Sequence, residues 1–219
     1  MMADLHECVS ELERWATGRA VVLTGSGNTF CSGGELQTVQ KILHKGGDMC
    51  KLMQFTTSRL YSLPLISVAA VNGHALGGGA ELTTACDFRV MTTKAKIGFV
   101  QARMNVSTGW GGGTRLIGLL GRTNALLLLS SGQVLNADQA KALGFVNEVF
   151  DTEDIASEAR KWINKTLVGD FTVTRNIKQM VLEGANMEDL AYTRERELFT
   201  KLWGSELHLK ALNANMKHK

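Results

Sequence analysis

Two glycine-rich segments hold the residue types best suited to chemistry in this chain. The first is Gly25-Ser-Gly-Asn-Thr-Phe-Cys-Ser-Gly-Gly34, and the second is Gly77-Gly78-Gly79, followed two residues later by the carboxyl group of Glu81. Glycine has no Cβ, so its N–H can come close to a ligand, and a helix N-terminus behind the loop adds partial positive charge. Loops of this kind favour oxyanions or phosphates. Neither segment contains the Gly-Lys-Ser/Thr element that cradles nucleotide phosphates, and neither makes the GxGxxG dinucleotide fingerprint. Alone, either loop is more often a structural turn than a site; the occurrence of two shifts the balance. The four cysteines, Cys8, Cys31, Cys50 and Cys86, form no CxxC pair and have no nearby His spacing. They indicate neither a zinc site nor a redox motif, and no metal is expected. Cys31 and Cys86 stand among small and apolar neighbours and read as packing residues rather than nucleophiles.

The elements that would hold these loops alternate. Leu5, Val9, Leu12 and Trp15 recur at helical spacing, and Gly18 precedes the apolar run Ala20–Thr24, giving helix, turn and buried strand. After the first loop a helical tract resumes near Asp48 and runs to about Tyr61, and Pro64 closes it. Leu65–Val71 reads as a second buried strand, the Gly77 loop opens a helix over Ala80–Ala85, and Phe88–Met91 reads as a third strand. Strands alternating with helices through glycine-rich turns indicate an α/β domain with mainly parallel pairing. Further on, a short strand is expected near Ile97, helical tracts over Thr114–Leu120 and Thr123–Ser130, and a strand over Val146–Phe150. Ile155, Ala159, Trp162 and Ile163 form one helical stripe, and Leu190, Tyr192, Leu198, Phe199 and Leu202 mark a later helix with Glu197 placed four before Lys201.

With 219 residues and 44% hydrophobic content, the chain is long enough for one substantial core. Its longest apolar runs fall far short of the roughly 20 residues needed to cross a bilayer. The net charge of +3 arises from interspersed Lys and Arg, with a local excess only at Lys217, His218 and Lys219, so neither nucleic acid nor membrane is an expected partner. The first residues resemble neither a secretory signal nor a transit peptide, and the expectation is a cytosolic protein with reduced thiols.

Phe30-Cys-Ser-Gly-Gly-Glu-Leu36 and the stretch Val68–Leu82, which includes Asn72-Gly-His-Ala-Leu-Gly-Gly-Gly-Ala-Glu-Leu82 and is followed by Cys86-Asp87, resemble the two signatures of the crotonase (enoyl-CoA hydratase/isomerase) superfamily. The likeness continues through Gly109-Trp-Gly-Gly-Gly-Thr-Arg-Leu116, Ala140–Gly144 and Val146–Val149, so it covers nearly the whole chain. The resemblance implies a spiral of ββα turns with a helical C-terminal region. Residues 1–150 would form the core, without the β-hairpin with which family members usually begin, and residues 151–219 would cap it and support assembly into trimers or hexamers. It also implies that Gly34 and Gly78 supply the two amides of an oxyanion hole for a CoA thioester. Ser32, Gly33 and Leu36 would lie along the CoA arm, and Leu76, Gly77, Val106 and Trp110 along the acyl pocket. His74 falls where the family motif varies and is read as structural. Asp87 would anchor the turn after the second signature, while Arg103 and Arg115 are candidates to offset CoA phosphates or a substrate carboxylate.

The acids decide which reaction such a site could run. Hydratases of this superfamily flank the substrate with two glutamates, of which only the first is matched here, as Glu81. Ungapped counting back from Gly109 puts the second position on Gln101, and an amide exchanges no proton near neutral pH. The expectation is therefore a lyase that decarboxylates a malonyl-type thioester through an enolate held in the two-amide hole, and the resemblance implies ethylmalonyl-CoA or methylmalonyl-CoA as that thioester. Glu81 is the nominated proton donor, and an alternative role for it is a carboxylate that orders the second glycine loop. No cofactor is expected beyond the coenzyme A of the substrate. The rival readings are an enoyl-CoA hydratase/isomerase with rewired acids and a catalytically idle acyl-CoA-binding protein of the same fold.

Overall fold

The structure, a computed structural model, describes residues 1–41, 43–184, 196–197, 199–200 and 203–216. After helix α1 (Met2–Arg14) the chain passes three times through the same order of strand, strand, helix. The first pass is β1 (Ala20–Thr24), β2 (Thr29–Cys31), α2 (Leu36–Lys41) and α3 (Gly46–Tyr61). The second is β3 (Ile66–Val71), β4 (His74–Leu76) and α4 (Gly78–Thr83). The third is β5 (Phe88–Thr92), β6 (Lys96–Gly98), a 3-10 turn over Val100–Met104 and α5 (Gly112–Ser131). β7 (Val134–Asn136), α6 (Ala137–Ala142) and β8 (Glu148–Phe150) complete the core, and α7 (Ile155–Thr166), α8 (Phe171–Gly184) and α9 (Glu206–Met216) follow.

The first strand of each pass joins one four-stranded sheet, in the order β1-β3-β5-β8, and the second strands join another, β2-β4-β6-β7. All pairs are parallel except β6 with β7, and the register sets Ala20 beside Ile66, Val68 beside Phe88 and Val90 beside Glu148. Parallel neighbours need a crossover, which each helix supplies. β3 is buried at every residue because both faces of its sheet are covered. Ile66, Val68 and Ala70 meet Ile155, Ala159 and Ile163 of α7, while Ala69 and Val71 face the main core with Ala75, Leu82, Met91 and Phe145. This double burial is why Leu65–Val71 is apolar at every position but Ser67 rather than alternating.

The expected spiral of ββα turns with a helical C-terminal region is present. Three strands of three residues each, β2, β4 and β7, lie inside or beside segments that the sequence marks as loops and turns. The tracts Thr114–Leu120 and Thr123–Ser130 lie in one element, α5, broken where Gly121 takes φ 73° and ψ 165°. Leu190, Tyr192, Leu198, Leu202 and Lys201 lie outside the described residues, whereas Phe199 is described and buried. Asp87 does anchor its turn. Its Oδ2 accepts from the backbone N–H of Ser67 at 2.7 Å, the Ser67 hydroxyl at 3.0 Å and the buried Lys178 ammonium of α8 at 2.8 Å. Among the described residues no helix is long and apolar enough to cross a membrane, and no group of His, Cys, Asp and Glu could hold a metal ion.

Candidate active site

Three glycine-rich segments meet at the ends of the second-sheet strands. The first, Cys31–Gly34, leaves β2, and the second, Gly77–Gly79, leaves β4, which pairs with β2 through Cys31 and Ala75. The approach is too close for side chains. A Cβ built on Gly79 would lie 1.9 Å from the carbonyl oxygen of Cys31, and one on Gly33 would lie 3.1 Å from the Gly78 nitrogen. The third, Gly109–Gly113, stands on the other side of the second, and a Cβ on Gly78 would lie 2.6 Å from the Trp110 ring. The sheet register and the missing Cβ atoms thus bring Gly33, Leu76, Gly78 and Trp110 together.

Gly78 is the first residue of α4, and Gly77 ahead of it holds φ 56° while its N–H donates to the carbonyl of Gly98 at 2.9 Å. Gly34 is exposed, as is Ser32, and Gly33 is half-buried, so the first loop lies at the mouth of the site. A Cβ on Gly34 would come within 2.9 Å of a Val39 methyl group. Leu36 opens α2 directly behind this loop.

Glu81, one turn into α4, is buried and is not a surface carboxylate. Its Oε2 accepts from the backbone N–H groups of Trp110 at 2.7 Å and Gly112 at 3.0 Å, and its Oε1 from Gly109 N–H at 3.3 Å and the Gln101 side-chain amide at 2.7 Å. The carboxylate therefore fixes the Trp110 turn rather than the second glycine loop. To give up a proton to a substrate it would first have to surrender one of these bonds. The other side of the turn is held by Arg115, which donates to the Trp110 carbonyl at 2.8 Å, to Thr84 Oγ1 at 2.9 Å and to Thr57 Oγ1 at 3.2 Å. Arg115 is buried. Named as one candidate for an anion contact, it instead holds the scaffold through these bonds. Arg103 is exposed, with its side chain beside Gly132.

Val106 is buried, and its N–H donates to the backbone carbonyl of Gln101 at 3.2 Å, which places it in the same wall as that residue. Trp110 is buried as well, with its ring against Gly78. His74 is exposed on β4. Burial raises the Cys31 thiol above its ordinary range, and complete burial pushes Cys86 up to about 12, so neither is an activated nucleophile. Sequence reasoning missed Thr57 and Thr84 as supports of the site. Both are buried polar residues, Thr57 within α3 and Thr84 at the C-cap of α4, and nothing in the linear order connects them to Trp110.

Stacked ββα turns around two sheets, with glycine loops converging where the second strands end, define the crotonase fold. A crystal structure of an enoyl-CoA hydratase/isomerase from Xanthobacter autotrophicus Py2 superposes with a TM-score of 0.88 over 99% of this chain and 83% of that one, at 21% identity. The family model "Enoyl-CoA hydratase/isomerase" matches residues 1–217, and this chain belongs to that family. Within it, the chain is 45% identical over 226 residues to ethylmalonyl-CoA decarboxylase of Danio rerio, a match covering 100% of this chain and 75% of the relative. It is 41% identical over 218 residues to ethylmalonyl-CoA decarboxylase of Homo sapiens, covering 97% of this chain and 71% of that protein.

Proposed function

We propose that this chain decarboxylates a malonyl-type CoA thioester, ethylmalonyl-CoA or methylmalonyl-CoA, through an enolate whose oxygen is held by the N–H groups of Gly34 and Gly78. The similarity to ethylmalonyl-CoA decarboxylases supports the substrate class. The observation that carries the reaction type is the bond from the Gln101 amide to Glu81: where two carboxylates would serve hydration, one is an amide and the other is already satisfied by four donors.

Decarboxylation needs no base. The bond to CO2 breaks with its electrons moving into the thioester carbonyl, and the charge that develops on that oxygen is the species to stabilise. Two preorganised N–H donors do this, and losing one such donor typically costs about a hundred- to a thousandfold in kcat. Trp110, Leu76 and Val106 give the pocket apolar walls that favour a carboxylate turned out of the thioester plane and stripped of water. Ser32, Gly33 and Leu36 run beside the CoA arm, with Gly77 shaping the acyl side. The thioester is its own electron sink, so the reaction asks for no cofactor. The protein acts as a homotrimer or hexamer, a reading supported by the family resemblance and by an apolar stripe left exposed on α8.

The test is to incubate the purified full chain with ethylmalonyl-CoA, methylmalonyl-CoA and crotonyl-CoA while following CO2 and the acyl-CoA products. Butyryl- or propionyl-CoA with equimolar CO2 is expected. Replacing Gly34 with proline, which deletes one donor, should lower kcat by about a hundredfold or more. Hydration of crotonyl-CoA with no CO2 from either malonyl-type thioester would overturn the reading.

A further inference from the structure

The side chain of Gln101 has one half of its amide bonded and the other half without a partner. Nε2 donates to Glu81 Oε1 at 2.7 Å, while Oε1 is buried with no hydrogen-bond partner among the described residues. The amide cannot be turned around, because a carboxylate only accepts and the flip would set two oxygens against each other. Glu81 is itself immobilised by three backbone N–H groups of the Trp110 turn. The backbone of Gln101 is fixed too: its carbonyl accepts from Val106 N–H at 3.2 Å, and Asn105 ends the 3-10 turn at φ 53°. The orphan acceptor is therefore held in place by a series of bonds rather than by chance rotamer choice. Its turn flanks the second glycine loop, since Gly77 donates to Gly98 at the end of β6 and lies beside Val100, the neighbour of Gln101. A buried carbonyl oxygen without a donor is costly and is ordinarily met by water or a ligand group.

We propose that Gln101 is a positioning residue, whose Oε1 accepts one proton of a water molecule and so aims the other at the α-carbon of the enolate. This rests on the decarboxylation reading. Loss of CO2 leaves the electron pair of the broken C–C bond in the carbon–carbon double bond of the enolate. Protonation returns that pair to a new Cα–H bond, with the proton taken from water, and the hydroxide left behind takes a proton from solvent. Gln101 stays neutral throughout, which suits a side chain that neither gains nor loses a proton near neutral pH. A water fixed on one side of a planar enolate delivers its proton to one face only.

The experiment is to turn over ethylmalonyl-CoA with the full chain in D2O and determine the configuration at the deuterated α-carbon of the butyryl-CoA formed. The wild-type product should carry deuterium in one configuration. Gln101→Met should still release CO2 with KM little changed, but with kcat lower by up to about a hundredfold and the label spread over both configurations. A purely structural role would not move the facial selectivity. One-sided labelling by a folded Gln101→Met variant would overturn the proposal. A wild-type product of mixed configuration would do the same, and that measurement stands if the variant fails to fold. A wild-type chain that releases no CO2 removes the decarboxylation reading first, and this proposal with it.

Discussion

Glu81 concentrates the logic of the site in one residue. Its two oxygens take bonds from four donors on two different segments, so its first effect is on the shape of the wall that carries Trp110. Glu81→Gln keeps the volume but sets an amide NH2 against N–H groups that need an acceptor, leaving a buried donor unmet. Unfolding free energy from urea titration is expected to fall by about 3 kcal/mol, with activity lost alongside. An unchanged urea midpoint with activity abolished would instead assign Glu81 a chemical role as proton donor.

At the level of elements, the site depends on the C-terminal region. Phe199 lies against Gly109, where a Cβ would come within 2.7 Å of both its ring and the Cys50 sulfur. Its ring centroid is 4.9 Å from that of Trp203, which is 5.0 Å from that of His208 at the start of α9. His208 is buried, and its Nδ1 accepts from Gly204 N–H at 2.9 Å, a role open only to the ring with that nitrogen unprotonated. Burial holds its pKa below the ordinary value of 6.5. Above 6.5 both folded and unfolded states carry neutral His208, and the native contact is fully present. As pH falls below 6.5 towards the lowered folded value, the unfolded state binds the proton first and stability is lost. Melting temperature should therefore drop between pH 7 and 5, and His208→Asn, which keeps an acceptor for Gly204, should flatten that drop. An identical pH profile in the variant would locate the sensitivity elsewhere.

For the molecule as a whole, α8 shows two opposite faces. Thr174 and Lys178 point inward, and Lys178 donates to the Leu65 carbonyl at 2.9 Å as well as to Asp87. Val173, Ile177, Met180 and Val181 point outward at helical spacing and are 50%, 53%, 64% and 60% exposed. A contiguous apolar face of this kind is characteristic of a protein–protein contact. If it serves the proposed assembly, Ile177→Asp combined with Val181→Asp should lower the mass seen by sedimentation towards that of the monomer while leaving the helix content intact. No change in mass would place the subunit contact on another surface.

The sequence by itself determined the α/β class with mainly parallel pairing and the identity of the glycine loops, while the spiral winding came from the family resemblance. A long element such as α7 declares its period over many residues, β3 declares itself by its apolar run between turn signals, and glycine stands where a Cβ cannot fit, as at Gly79 against Cys31. Ungapped counting along the chain also put Gln101 where a hydratase would carry a second carboxylate. Only the tertiary structure decided what the polar groups do, because a hydrogen bond depends on approach in space and not on spacing along the chain. Arg115, a fair candidate for an anion contact in the sequence, is buried and clamps the Trp110 carbonyl. Glu81 and Gln101, twenty positions apart, become one hydrogen-bonded unit, because parallel pairing of β4 with β6 carries the helix after one and the turn after the other to the same wall.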